Sequence, residues 1–546
     1  MLPWRRAFST SLTRLNHSPP AVNSTRTIRC SKLFDNIERQ NPPEYEGQEI
    51  KLQGLIRSVR KQKSVAFAAV NDGSTSTNVQ AVLSRDQAAV ITTGAAVEIT
   101  GIWKPCPPAM KQTHELHATA VKLVGASDPE TYPIQKKYQS PEFLRQNPHL
   151  RFRTTSNALI ARFRSTAVDK LQQTFRGARG GFIQVHPPVI TSSDCEGAGE
   201  TFALVPRETL STGLSGQEQD HFFRAPKYLS VSSQLHLEAY AAQLGNVWAL
   251  TPVFRAEKSD TPRHLSEFYM LEAESNFVFD LPELTDICER IICDVARRLR
   301  RSQVAHELFK SQEIKEEGSP EQQKPVDLQR RWSPLIEDGK WRRITYTDAI
   351  TALQEAVTEG KVSFEYAPTW SGGLQLEHER YIVDIINEGR PIFVTDYPKA
   401  VKPFYMAPSH TTGTNTESGK ETVACFDLLF PEIGEIAGGS LREHRLPELI
   451  QNMRGHGLIK KTSLAPEGQN GESEAKAAEA KEQLYPHLLP DEDLGHLQWY
   501  ADLRRWGSAP HGGFGIGFDR LLSYLTGVSN IRDIVAFPRY YGKADC

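Results

Sequence analysis

At 546 residues, with 64 Lys and Arg against 66 Asp and Glu, the chain is long enough for two or three cores and nearly neutral. That balance excludes a purely electrostatic binder of nucleic acid but leaves room for local basic faces. No apolar run approaches the eighteen or so residues of a membrane span. The seven cysteines (30, 106, 195, 288, 293, 425 and 546) form no CxxC or Cys/His metal pattern, which fits free thiols in a reducing compartment.

The first thirty residues, MLPWRRAFSTSLTRLNHSPPAVNSTRTIRC, are rich in Arg, Ser and Thr, and no acid precedes Asp35. That composition predicts a mitochondrial transit peptide over 1–30, with a disordered tail as the alternative. From Gly47 to about Gly125 the segments EIKLQGLIRSVR, VAFAAVNDGS, NVQAVLS and AAVEITGIWK alternate or run apolar between DG and TG turns. Five such strands predict a small OB-type β-barrel over 31–126, a common binder of single-stranded nucleic acid. Arg57, Arg60, Lys61 and Lys63 gather beside Phe67. Two readings fit: a basic face with a stacking ring for a splayed base, or a core Phe67 below a solvated loop.

A polar stretch over 127–148 reads as a linker. After it, TTSNALIARFRSTAVDKLQQTFRG spaces apolar residues for a long helix with a Gly stop, and the strand FIQVHPPVI follows. Strands and helices then alternate irregularly to residue 546, predicting a large α+β domain over 149–546. Residues 302–340 and 455–493 are charged and poor in apolar residues, and are expected to be surface insertions.

Two segments carry chemistry. FRAEKSDTPRHLSEF (254–268) delivers Arg255 and Glu257 at the end of an apolar run, followed by a basic turn. It is either a hairpin with a surface ion pair, worth little, or a site that holds a polyanion against a fixed carboxylate. HGGFGIGFDRLLSYLTG (511–527) sets glycines before Arg520 and an amphipathic helix. The spacing is not GxGxxG, so a dinucleotide fold is excluded, and the glycines instead let backbone approach a flat ligand.

A long helix with a Pro-bearing strand, the FRAE hairpin and the glycine strand with FDRL, in that order behind an OB barrel, resemble motifs 1, 2 and 3 of class II aminoacyl-tRNA synthetases. The local match is closest to asparaginyl-tRNA synthetases, through SDCEGAGETF (193–202), FRAEKSDTPRHLSEF, YPKAVKPFYM (397–406), GEIAGGSLREHR (434–445) and HGGFGIGFDRL (511–521). The resemblance implies an antiparallel catalytic sheet flanked by helices, ATP and Mg²⁺ as cofactors, tRNA(Asn) and asparagine as partners, and a homodimer, which the leader composition would place in the mitochondrial matrix. It implies that Arg255 bridges the α-phosphate and the substrate carboxylate, and that Glu257 accepts from the adenine amino group. Arg263 and His264 would reach the γ-phosphate. Phe268 and Arg520 would cover the two adenine faces, with Gly515 and Gly517 beneath, and Asp427 and Glu435 would ligate Mg²⁺. No nucleophile from the protein is needed.

Asparagine and aspartate differ in charge rather than shape. Where aspartate-specific relatives carry a lysine, SSQLHLE (232–238) has Leu237, and FYMLEAE has Glu272 where an Asp is usual. The resemblance then gives Glu272 as acceptor for the side-chain amide, Arg442 as donor to its oxygen, and Glu196 and Gln234 as contacts for the α-amino group, unless these last are paired core residues. In the barrel, Phe67 would stack on the central anticodon base and Gln80 would read its edge, although TSTN (75–78) adds residues to that strand connection. An aspartate-specific or relaxed ligase, a tRNA-independent asparagine synthetase and a catalytically dead RNA binder are the competing functions.

Overall fold

The computed structural model describes residues 26–39, 44–107, 110, 112–192, 200–207, 221–312, 326–337, 339–409, 420–461, 485 and 487–546. They form two compact units that divide between Lys136 and Lys137.

In the first unit a short helix, α1 (Cys30–Arg39), precedes five strands: β1 (Glu49–Lys61), β2 (Val65–Asn71), β3 (Val79–Ser84), β4 (Ala96–Pro105) and β5 (His114–Gly125). They close a barrel in the order β1-β2-β3-β5-β4. Period-two alternation builds it: Ala66, Ala68 and Val70 of β2 and Val79, Ala81 and Leu83 of β3 point inward, towards Leu52 and Trp103. The TSTN connection closes as an ordered turn, because the Asn71 amide donates to the carbonyls of Thr75 and Thr77, both at 3.1 Å. One boundary differs from expectation. Ile28 N donates to Lys51 O (2.9 Å), Lys51 N donates to Arg26 O (3.1 Å), and Ile28 and Cys30 are buried in the barrel core. Residues 26–30, expected to belong to the leader, are thus bonded to and packed in the barrel. The rest of the expected leader lies outside the described residues.

The second unit is built on an eight-stranded sheet. A long helix, α2 (Thr155–Gly177), comes first; its Leu159, Phe163, Ala167, Leu171 and Phe175 recur every fourth residue and are buried. The strands are β6 (Ile183–Gln184), β7 (Asn246–Phe254), β8 (Glu267–Asn276), β9 (Arg342–Thr345), β10 (Ile392–Pro398), β11 (Thr422–Phe430), β12 (Gly434–Leu441) and β13 (His511–Gly517). Their order is β9-β10-β11-β12-β13-β8-β7-β6, parallel at the two outer pairs and antiparallel elsewhere. Register makes two rows across the centre. Leu271, Ile516, Ala437 and Leu428 pair in sequence and pack into the helical core. One position along, Glu272, Gly515, Gly438 and Asp427 form the row on the opposite face.

The expected surface insertions differ at their ends. Helices α3 (Gln303–Gln312) and α4 (Leu328–Ile336) contribute Val304, Leu308, Leu328, Trp332 and Leu335 to the main core. Tyr485 and Leu488 of the second stretch are buried too, and 313–325 and 462–484 lie outside the described residues. Trp332 is fully enclosed, stands edge-on to Phe163 and Phe309, and donates from Nε1 to Leu525 O at 2.8 Å. Trp332→Ala therefore costs about 3–5 kcal/mol, read as a lower denaturation midpoint. A change within about 0.5 kcal/mol, as for a surface substitution, would return this helix to the surface.

Candidate active site

Alternation along β8 sends Phe268, Met270, Glu272 and Glu274 to one face, and β13 sets Gly517, Gly515 and Gly513 opposite the last three. Where β13 has no side chains, a cavity of about 670 Å³ opens. Two of these glycines do different work. A Cβ on Gly513 would lie 1.9 Å from Glu274 Oε2, so that glycine makes room for a carboxylate of the protein itself. On Gly515 it would meet nothing closer than Met270 Sδ at 3.5 Å, so there the bare backbone is cavity floor.

The cavity brings together every sequence-predicted site residue of the second unit except Glu196, which lies outside the described residues. Arg255 leaves the end of β7, its backbone N bonded to Ser266 O (3.0 Å), with its guanidinium 5.8 Å from the centre of the Phe268 ring. His264 Nε2 lies 3.8 Å from Glu257 Oε2, and its Nδ1 is 2.9 Å from Ser259 Oγ. Arg263 Nη2 donates to Glu432 O (2.9 Å) and Arg520 Nη1 to Glu435 O (2.8 Å). The basic turn thus folds against the β11–β12 corner, which rules out the simple surface hairpin.

At the far end of the Gly515–Gly438 floor sit the acids. A Cβ on Gly438 would stand 3.4 Å from both Asp427 Oδ1 and Glu435 Oε1, so the two carboxylates flank one point. Sequence reasoning left two neighbours unassigned. Lys402 of the YPKAVKPFYM segment approaches Asp427 to 3.0 and 3.2 Å, and Asp427 holds its ammonium charged against the opposing effect of burial. Half-buried Glu379 is pushed up to about 7, by desolvation first and then by Glu435 and Asp427. Glu435 is raised likewise, by desolvation and by Asp427. Nothing in the spacing of QLEHERY marks Glu379; Lys402 stands in a segment that the family resemblance singles out.

At the near end, Glu272 accepts from Ser232 Oγ (2.5 Å) and from Ser233 N (3.0 Å). Burial pushes its carboxyl up, against those hydrogen bonds. Arg442 is buried and gripped by Glu274, Nε to Oε1 at 3.1 Å and Nη2 to Oε2 at 3.0 Å, while its Nη1 donates to Ser440 Oγ. Gln234 Nε2 donates to Glu238 Oε1 at 3.1 Å. Glu238 and Glu274 lie in quoted segments, but only the fold shows that both are buried.

In the first unit Phe67 is half-buried on the outer face of β2, outside the barrel core, with the Arg60 guanidinium 5.0 Å from its ring centre. Gln80 shares that face and donates to Glu115 Oε2 (3.0 Å). The core reading of Phe67 is therefore excluded.

A family model described as tRNA synthetases class II (D, K and N) matches residues 140–541. The chain belongs to the class II tRNA synthetases. A second model, tRNA_anti-like, matches residues 17–110 of this synthetase. The synthetase is 37% identical over 504 residues to a mitochondrial asparagine–tRNA ligase of Schizosaccharomyces pombe, covering 91% of this chain and 96% of that one. It is 38% identical over 506 residues to the mitochondrial asparagine–tRNA ligase of Saccharomyces cerevisiae, covering 90% and 92%. Its fold matches asparaginyl-tRNA synthetase from Pyrococcus horikoshii complexed with asparaginyl-adenylate, with a TM-score of 0.71, 26% identity, and coverage of 94% and 98%.

Proposed function

We propose that this synthetase activates asparagine with ATP, releasing pyrophosphate, and transfers it to the 3'-terminal adenosine of tRNA(Asn) in the mitochondrial matrix. The observation that carries the choice of amino acid is Glu272 at the end of the glycine floor, with Leu237, in the place of the lysine of aspartate-specific relatives, lining the same cavity. The relatives named mitochondrial and the basic, Ser-rich first residues support the location.

The chemistry follows from positions. Asparagine lies with its side-chain amide between Glu272 and Arg442 and its α-amino group at Gln234, with Glu196 a further candidate. Its carboxylate oxygen attacks the α-phosphorus in line, and pyrophosphate departs with the bonding pair. Arg255 holds the attacking carboxylate and the α-phosphate together and meets the charge that develops on phosphorus. Phe268 and Arg520 sandwich the adenine above Gly515 and Gly517, Glu257 takes its amino group, and Arg263 and His264 turn towards the triphosphate tail. The crowded acids at the phosphate end are hard oxygen donors that flank one point and repel one another, which suits Mg²⁺ held by Asp427 and Glu435. When bound, it would neutralise phosphate charge. In the barrel, Phe67 stacks on the central anticodon base and Gln80 reads its edge. Exposed Ile183 and Ile190, following α2, suit a two-fold contact that makes a homodimer.

ATP–pyrophosphate exchange with each of the twenty amino acids tests the assignment. Asparagine should drive it; exchange driven equally by aspartate, or by none, overturns it. Glu272→Gln should lower the preference for asparagine over aspartate by about tenfold or more, since a neutral amide no longer repels a carboxylate. Unchanged selectivity removes Glu272 from recognition.

A further inference from the structure

Beneath the amino-acid end of the cavity lies an ion cluster centred on Glu238, to which the activation chemistry gives no role. Glu238 is fully enclosed, and three side chains donate to its two oxygens, Arg504 Nη2 at 2.5 Å, Tyr500 OH at 2.9 Å and Gln234 Nε2 at 3.1 Å, with His511 Nε2 also 3.1 Å away. Burial alone would push its carboxyl up, but Arg504 and His511 outweigh burial and keep it ionised. Glu238, Glu274 and His511 offer ligand atoms all within 4.8 Å of one another, yet Arg442 and Arg504 already pair with those carboxylates. The cluster supplies its own cations.

Two consequences reach the cavity. An ionised carboxylate only accepts hydrogen bonds, so Gln234 must turn its NH₂ towards Glu238, and its carbonyl oxygen is left for the cavity that it lines. An acceptor there suits an ammonium. The second consequence is charge. Glu274 grips Arg442, Glu238 grips Arg504 and faces His511, and Arg442 Nε is also 4.0 Å from Glu238 Oε1. The Arg442 charge is therefore met inside the protein by Glu274 and Glu238, while Glu272 brings a further carboxylate to the cavity.

We propose that Glu238 is a positioning residue for amino-acid selection, aiming the Gln234 carbonyl at the substrate α-ammonium and cancelling the cationic pull of Arg442 on acidic side chains. This rests on the asparagine reading above.

The test is Glu238→Gln, assayed by ATP–pyrophosphate exchange with asparagine and with aspartate. The introduced amide would offer an NH₂ to Gln234, turning the Gln234 side chain round so that its own NH₂ faces the ammonium. The KM for asparagine should rise several-fold with the KM for ATP unchanged, and the asparagine-to-aspartate ratio of kcat/KM should fall about tenfold or more. A folded Glu238→Gln enzyme with an unchanged ratio overturns the proposal. Glu238→Asp decides if that variant does not fold: it keeps the charge but withdraws it, so selectivity should persist while the KM for asparagine rises. An unchanged KM for asparagine, or lost selectivity with the charge retained, counts against the proposal. Absence of asparagine-driven exchange in the unaltered enzyme would instead sink the asparagine reading itself.

Discussion

Arg255→Ala should abolish asparagine-dependent exchange, by about a thousandfold or more, in a chain that still folds. The size follows from the role proposed for the residue. A guanidinium aimed at charge developing on phosphorus is worth on the order of 10³–10⁵ in rate, more than a single neutral donor contributes. Folding is spared because Arg255 is half-buried at the cavity wall, outside the core clusters, and its backbone contact with Ser266 O survives truncation. Arg255→Lys should recover little, since an ammonium lacks the planar fork that spans a carboxylate and a phosphate at once. Exchange rates beside a thermal melt check both halves. An active Arg255→Ala enzyme would hand the phosphate role to another cation of the cavity.

Gly513→Ala and Gly515→Ala form the second expectation, because one added methyl group, two residues apart on one face, meets opposite fates. At Gly513 it would stand 1.9 Å from Glu274 Oε2 and 2.4 Å from Ala273 O. The first atom is pinned by Arg442 and the second belongs to the β8 backbone beside β13. Something must move, and a displaced Glu274 leaves Arg442 buried without its partner, a loss of about 3–5 kcal/mol. Both the melting temperature and asparagine activation should fall steeply. At Gly515 the methyl group only touches Met270 and Glu272 at ordinary contact distance, so stability should hold while the KM values rise from lost floor space. Equal stabilities for the two variants would refute the assignment of Gly513 to Glu274.

Reading the sequence as far as the three motifs gave the architecture, the barrel and most of the cavity wall, because local patterns there coincide with chemistry. FRAE reports Arg255 and Glu257 by adjacency, and strand alternation carries Phe268, Glu272 and Glu274 to one face. Long-range burial is what the pattern hides. Arg331 counts as a surface charge in a hydrophilic stretch, yet it is buried, donating to Ser523 O and Tyr524 O at the end of the helix Phe518–Thr526. Glu238 looks like the solvent face of a helix until Tyr500, Arg504 and His511 arrive from more than 250 residues away. The glycines of HGGFGIG read as one approach surface, and only the register separates Gly513 from Gly515. Ile28 and Cys30 were masked by their basic surroundings, although each is buried in the barrel.

The row Glu272–Gly515–Gly438–Asp427 also acts as a ruler. Three strand spacings separate its ends, roughly 14 Å between α-carbons, and that length is fixed by backbone ladders rather than rotamers. A side chain one methylene longer than asparagine, held by the same amide contacts, would carry its carboxylate about 1 Å out of line, worth on the order of a hundredfold in rate. On the proposed reading, glutamine should be refused by length where aspartate is refused by charge. No side-chain adjustment stretches the floor, so a change of amino acid at this site has to come from replacing the residues at its ends.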